Sequence, residues 1–214
     1  MITKRASSAV GAALCSRRLI LKLLPTLAAA IIPLAPPLAA QQFAVTLDPA
    51  QTTIEYTLDS TLHTVHGTFK LKSGEIHFDS STGKASGSIV VDATSGDSGN
   101  KSRDKKMHQE ILESQKYPEI TFTPQKISGT LNPHAASQLE LSGIFELHGQ
   151  DHPLTATIAV APPEGPTLHA TVSFTIPYIK WGLKDPSTWL LKASDTVTLQ
   201  IQATTKLTPD QAAH

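Results

Sequence analysis

The side chains able to do chemistry in this sequence are its histidines, one serine run and one arginine. The chain carries nine histidines. His63 and His66 are three apart in a segment that alternates like a strand, so they point to opposite faces and cannot chelate one ion together. His108, His148 and His152 are single donors near a helix or a turn, and no spacing gathers three ligands as zinc requires. A metal-dependent enzyme using His63 and His108 is a rival reading, but no metal, cofactor or catalytic residue is assigned. Gly96-Asp97-Ser98-Gly99 is a run in which a nucleophilic serine could sit. Such a serine needs a positioned base and an orienting acid, and the sequence offers neither in a recognisable pattern. A polar turn that starts a helix explains the run.

Arg103 follows Asn100 by three residues. Arginine grips phosphate oxygens in a bidentate fork, so this pair could clamp a polar head group; a solvated helix face is the alternative. His63 shares the apolar face of its strand with Val65 and Phe69 and joins Asn100 and Arg103 as a candidate polar contact. Tyr178, Trp181 and Trp189 lie in the long stretch 177–194, between two strands. Large rings in such a loop seal a barrel end, line a pocket mouth or touch a membrane surface.

The elements that must position these residues are strands. Thr52, Ile54, Tyr56 and Leu58 alternate with polar residues, as do Leu139, Leu141, Phe145 and Leu147, then Leu168, Ala170, Val172, Phe174 and Ile176, then Val197, Leu199, Ile201 and Ala203. Period two with one polar face means antiparallel strands wetted on one side. About nine such segments are predicted, 65–71 and 76–78 counting as two, with turns at 80–83, 149–151 and 162–166. Residues 98–112 break the alternation: polar, with Met107 and Ile111 four apart, they predict one inserted helix capped by Ser98 or Asn100. Tyr117-Pro118 then returns the chain to extended backbone.

The sheet's apolar face must be buried in a two-sheet sandwich or a closed barrel. Aromatic residues make up 5% of the chain, and Gly67, Gly143, Ala156, Ala170 and Ala203 fall on the apolar face, so a barrel would have free space inside. The expected fold is all-β, an antiparallel sheet closed into a barrel, with one inserted α-helix.

Residues 1–40 are read separately. They hold five of the 18 basic residues and no acidic one, then an apolar run that ends in Leu38-Ala39-Ala40, which describes a secretory signal. Ser16-Arg17-Arg18-Leu19-Ile20-Leu21-Lys22 resembles the twin-arginine export motif, with Ile20 where phenylalanine is usual. A cut after Ala40 leaves one domain at 41–207 and a short tail at 208–214, with thirteen basic residues against 18 acidic ones, a net charge of −5. That charge does not favour nucleic acid. The single cysteine, Cys15, lies in the leader, so the mature chain has no disulfide. The expected location is periplasmic or secreted.

Several blocks carry a family resemblance in the right order. They are Leu47-Asp48-Pro49-Ala50, Val65-His66-Gly67-Thr68-Phe69, Gly99-Asn100-x-x-Arg103-Asp104-x-x-Met107, Tyr117-Pro118-x-Ile120-Thr121-Phe122 and Ser194-Asp195-x-Val197-Thr198-Leu199-x-Ile201. Together they resemble the YceI-like family of exported lipid-binding barrels, over nearly all of residues 41–207. The resemblance implies an antiparallel lipocalin-like extended β-barrel that encloses a polyisoprenoid or similar long-chain lipid, often as a homodimer. Because a bilayer is as apolar as such an interior, transient membrane contact is expected as well. The side chains expected along the lipid are Val65, Phe69, Phe122, Phe145, Val172 and Phe174, with Met107 and Ile111 at the helix edge. A ligand-free barrel acting as a protein-interaction or stress-adaptor module is the alternative.

Overall fold

The computed structural model describes residues 42–210. The leader expected at 1–40 and the last four residues lie outside them. The strands are β1 (Gln42–Leu58), β2 (Val65–Asp79), β3 (Ala85–Asp97), β4 (Glu119–Gly129), β5 (Ser137–Leu147), β6 (Gln150–Val160), β7 (Thr167–Ile176) and β8 (Val197–Pro209). Each pairs antiparallel with its neighbour, and β1 pairs with β8 to close the barrel. Closure gives the apolar face one interior to line.

Eight strands replace the nine expected, because 65–71 and 76–78 belong to one strand. The interior phase of β2 runs through Val65, Phe69 and Leu71, then moves to Gly74, Ile76 and Phe78. Pairing with β3 shifts register between Leu71 and Ser73. One extra residue there flips every later side chain to the other face, so a local reading sees two strands. β1 does the same, with a register shift between Leu47 and Thr52 around Pro49.

Turn chemistry fixes the connections. The Asp79 carboxylate accepts from Ser81 N at 2.8 Å, Ser81 Oγ at 2.6 Å and Thr82 N at 3.1 Å. Those donors hold its pKa below the ordinary aspartate value. The β5–β6 hairpin turns on His148 and Gly149, with φ of 55° and 72°, one residue earlier than the expected 149–151. Two central residues in the left-handed region make the primed turn that matches strand twist. β8 runs on to Pro209, where its last residues pair with Ala44 and Phe43, so the expected tail at 208 begins inside the sheet.

The inserted helix has two parts. α1 (Lys101–Lys106) is α-helical and the next turn, Met107–Ile111, is π-helical, with Leu112 N donating to Met107 O at 2.8 Å. Asn100, not Ser98, caps it: its Oδ1 accepts from Ser102 N and Arg103 N, both at 3.1 Å.

Two barrel seams are short. β3 pairs with β4 only from Ile89 to Asp92, and β6 with β7 only from Thr157 to Val160. The π turn packs on β3 beyond the first seam, where His108 sits 2.9 Å from Gly96 O. At the second, Trp181 stacks on His152 with centroids 4.1 Å apart and planes 3° from parallel. No helix among the described residues is long and apolar enough to cross a membrane.

Candidate functional site

The inward faces of the strands enclose an apolar tube in two chambers. The upper one, of about 450 Å³, lies between the α1 end of the barrel and its waist. The lower one, of about 540 Å³, continues to the opposite end. Ile54, Val91, Ile120, Phe145, Phe174 and Ile201 line both and form the waist between them. On β5 the inward positions run from Leu139 to Leu147, about 26 Å along a strand. With a usual barrel tilt the tube is then about 20 Å long. Together the chambers reach the upper end of ordinary ligand-site volumes, about 300–1,000 Å³.

All eight apolar residues singled out in the sequence meet in this tube. Val65, Phe69, Met107 and Ile111 line the upper chamber, Phe122 and Val172 the lower, and Phe145 and Phe174 both. The expected small residues divide. Ala156, Ala170 and Ala203 line the lower chamber. Gly67 and Gly143 do not open space; they let neighbours approach. A Cβ on Gly67 would lie 2.5 Å from Asp97 O and from the Tyr56 ring, and one on Gly143 2.3 Å from Thr123 O.

The polar candidates also divide. His63 and Arg103 line the upper chamber, and so does Lys106, which the sequence reading did not single out. Asn100 does not; its side chain is spent on the helix cap. Arg103 Nε donates to Ser98 Oγ at 2.7 Å and Nη2 to Ser98 O at 2.8 Å. Ser98 in turn donates from N and Oγ to Asp104 Oδ1 at 2.9 and 2.5 Å. Arg103 and Asp104, adjacent and unable to meet directly, are thus joined through one serine, and the guanidinium is held at the mouth of the tube. The opposite end of the tube carries Asp79. Arg103 and Lys106 therefore mark one mouth of the tube, and Asp79 the other.

Residues in the loop 177–194 had no period to betray them. Tyr178 and Leu183 are each 5% exposed and line the upper chamber. Tyr178 Oη donates to Ser194 O at 2.7 Å, and burial pushes its pKa up to about 12, with Asp185 and Asp195 adding to the effect. Tyr56 donates to Met107 Sδ at 3.5 Å, and burial raises its pKa too.

His63 and His108 do not converge. His108 spends both ring nitrogens, one on Gly96 O and one 3.0 Å from Ser114 Oγ, while His63 sits at the rim. Among the described residues no three His, Cys, Asp or Glu side chains gather where they could hold a metal ion.

The YceI-like domain family matches residues 45–205. This chain belongs to the YceI-like family. Its barrel resembles that of Burkholderia cenocepacia BcnA, with a TM-score of 0.61 at 17% identity, over 74% of this chain and 98% of that one. It also resembles a polyisoprenoid binding domain from Saccharophagus degradans implicated in plant cell wall breakdown, with a TM-score of 0.55 at 16% identity, over 76% and 97% of the two chains. The Campylobacter jejuni YceI protein aligns at 0.54 and 19% identity, over 71% and 88%. Identities this low speak for the fold alone. No curated protein matches the sequence.

Proposed function

We propose that this YceI-like barrel binds one long apolar lipid, a polyisoprenoid or a chain of similar shape, along its interior as a carrier or store. The observation that carries the reading is a pair of apolar chambers set end to end in the barrel and sharing six lining side chains, with Arg103, Lys106 and His63 at one end. The polyisoprenoid-binding neighbour supports the same choice.

The energetics fit. Burying a methylene is worth about 0.8 kcal/mol, so three prenyl units supply more than about 8 kcal/mol against water, the micromolar scale. Against a bilayer the same tail gains little, because lipid is equally apolar. Cargo therefore exchanges with membranes, and selectivity falls to the polar end. Arg103, Lys106 and His63 there favour an anionic head group such as a phosphate. The reading is of a binding protein rather than an enzyme, exported to the periplasm or beyond, as the basic, then apolar, sequence of residues 1–40 supports.

Native mass spectrometry tests this on protein purified without detergent from cells expressing the full chain, with solvent extraction of whatever is bound. A discrete hydrophobic mass near one per chain is the expected result. Empty protein that also refuses added prenyl lipids would sink the reading and favour an interaction module.

A further inference from the structure

Trp189 is 91% exposed, Leu190 64% and Leu62 62%, and they are the exposed large hydrophobic residues among those described. They sit together in the chain's architecture. Thr188 and Leu191 close a tight turn, with Thr188 N donating to Leu191 O at 2.8 Å and Leu191 N to Thr188 Oγ1 at 3.1 Å. That turn places Trp189 and Leu190 at its tip. The neighbouring β1–β2 loop is clipped to it: Thr61 N donates to Lys192 O at 2.9 Å and Lys192 N to Thr61 Oγ1 at 3.2 Å. Leu62 follows directly. An apolar tip held by four hydrogen bonds is a built feature, since the same residues could have been polar at no cost to the barrel.

The tip borders the mouth of the tube. Leu191, next in sequence, lines the upper chamber, as do Ser60, His63 and Ala193 around it. Two segments at this rim are basic, although residues 41–214 as a whole are acidic and Glu110 pairs with Lys184 at 2.6 Å. Residues 101–106 carry Lys101, Arg103, Lys105 and Lys106 against Asp104 alone, and residues 180–192 carry Lys180, Lys184 and Lys192 against Asp185 alone. Lys106 Nζ donates to Pro186 O at 3.0 Å, which binds the two basic segments to the same rim.

We infer that the Leu62/Trp189/Leu190 tip is a membrane-docking surface, which seats the cationic mouth of the tube on a bilayer containing anionic lipid. An exposed tryptophan suits the interfacial layer, with its ring amphipathic and its neighbours apolar. The basic residues of 101–106, with Lys180 and Lys192, meet anionic head groups, and their pull falls away with added salt. Seated there, a lipid passes between bilayer and tube without crossing water. The inference rests on the lipid-binding reading for its purpose, but not for its test.

Protein from cells expressing the full chain is sedimented with vesicles of phosphatidylcholine mixed with phosphatidylglycerol, and with phosphatidylcholine alone. Binding to the mixed vesicles is expected, weaker by about tenfold on phosphatidylcholine and released by salt. Trp189→Ser with Leu190→Ser, residues that do not line the tube, should weaken binding about tenfold or more. The same variant should take up an apolar fluorophore like the parent. A second readout spares the loop: Trp189→Phe removes one of two tryptophans, and the difference spectrum should shift to shorter wavelength when mixed vesicles are added. Equal sedimentation of parent and serine variant, or none by the parent, overturns the docking surface. A parent that takes up fluorophore yet ignores vesicles refutes docking and leaves the tube reading intact. One that binds vesicles through Trp189 but takes up no fluorophore supports docking and refutes the tube reading.

Discussion

Phe145 on β5 and Phe174 on β7 meet edge to face across the barrel, centroids 6.1 Å apart and planes 72° from parallel. The two strands are not paired neighbours; β6 lies between them in the sheet order. The rings therefore meet inside the tube, and with four aliphatic side chains they set its waist. A lipid that uses both chambers must pass them.

Cargo length follows from that geometry. Ala170 lines the lower chamber, where a larger ring would project into free space. Ala170→Phe is expected to leave the upper chamber intact and to shift binding toward shorter prenyl chains. A binding series of prenols of increasing length checks this; an unchanged length preference would show that cargo stops above the waist.

The close approach at Gly67 predicts a stability loss without a change of cavity. In Gly67→Ala the new methyl would overlap Asp97 O and the Tyr56 ring, both 2.5 Å away. Tyr56 packs on Phe69 with centroids 5.4 Å apart and cannot simply withdraw. Overpacking of this kind costs about 1–3 kcal/mol, read as a lower Tm or denaturant midpoint.

Asn100 and Arg103 should separate in effect. Asn100→Ala removes the helix cap and is expected to cost about 1 kcal/mol of stability with little change in ligand selectivity. Arg103→Ala removes a cation from the mouth and the partner of Ser98. It should lower the preference for a prenyl phosphate over the matching prenol about tenfold or more. Equal preference in parent and variant would remove Arg103 from the head-group role.

His152 links the second seam to pH. Burial lowers its pKa below the ordinary 6.5, and its Nε2 is enclosed with no hydrogen-bond partner among the described residues. The unfolded chain therefore binds a proton more readily than the folded one, and stability is lost as pH falls through about 6.5 toward the folded value. Above that range the contribution is complete. His152→Phe keeps a ring against Trp181 and should flatten this part of the Tm-against-pH curve; an identical slope in parent and variant would remove His152 as its source.

Much of the candidate site is legible in the sequence. Alternation through residues such as Val172 and Phe174 marked the inward face of each strand, and a closed sheet has one interior in which those faces meet. The candidate contacts Val65, Phe69, Met107, Ile111, Phe122, Phe145, Val172 and Phe174 all reach it for that reason. Ile54 and Tyr56 lay on the same apolar face of the first strand and were open to the same reading. Period two, the break at residues 98–112 and the Tyr117-Pro118 restart are local signals, and local backbone geometry produces them.

Tertiary structure decided what local signals cannot carry. The bulge before Gly74 joins two apparent strands into one, because register depends on how many residues the partner strand opposes. Gly67 and Gly143 serve close packing rather than empty space, because only the fold brings Asp97 and Thr123 beside them. Asn100 was free in the sequence to cap or to bind, and the direction of the helix start turned it to the cap. In one loop of like composition Tyr178 lines the tube, Trp181 closes a seam on His152 and Trp189 stands in solvent. A strand's side chains alternate by geometry, whereas a loop's side chains go wherever the chain happens to pass, and that path is set by contacts far away in sequence.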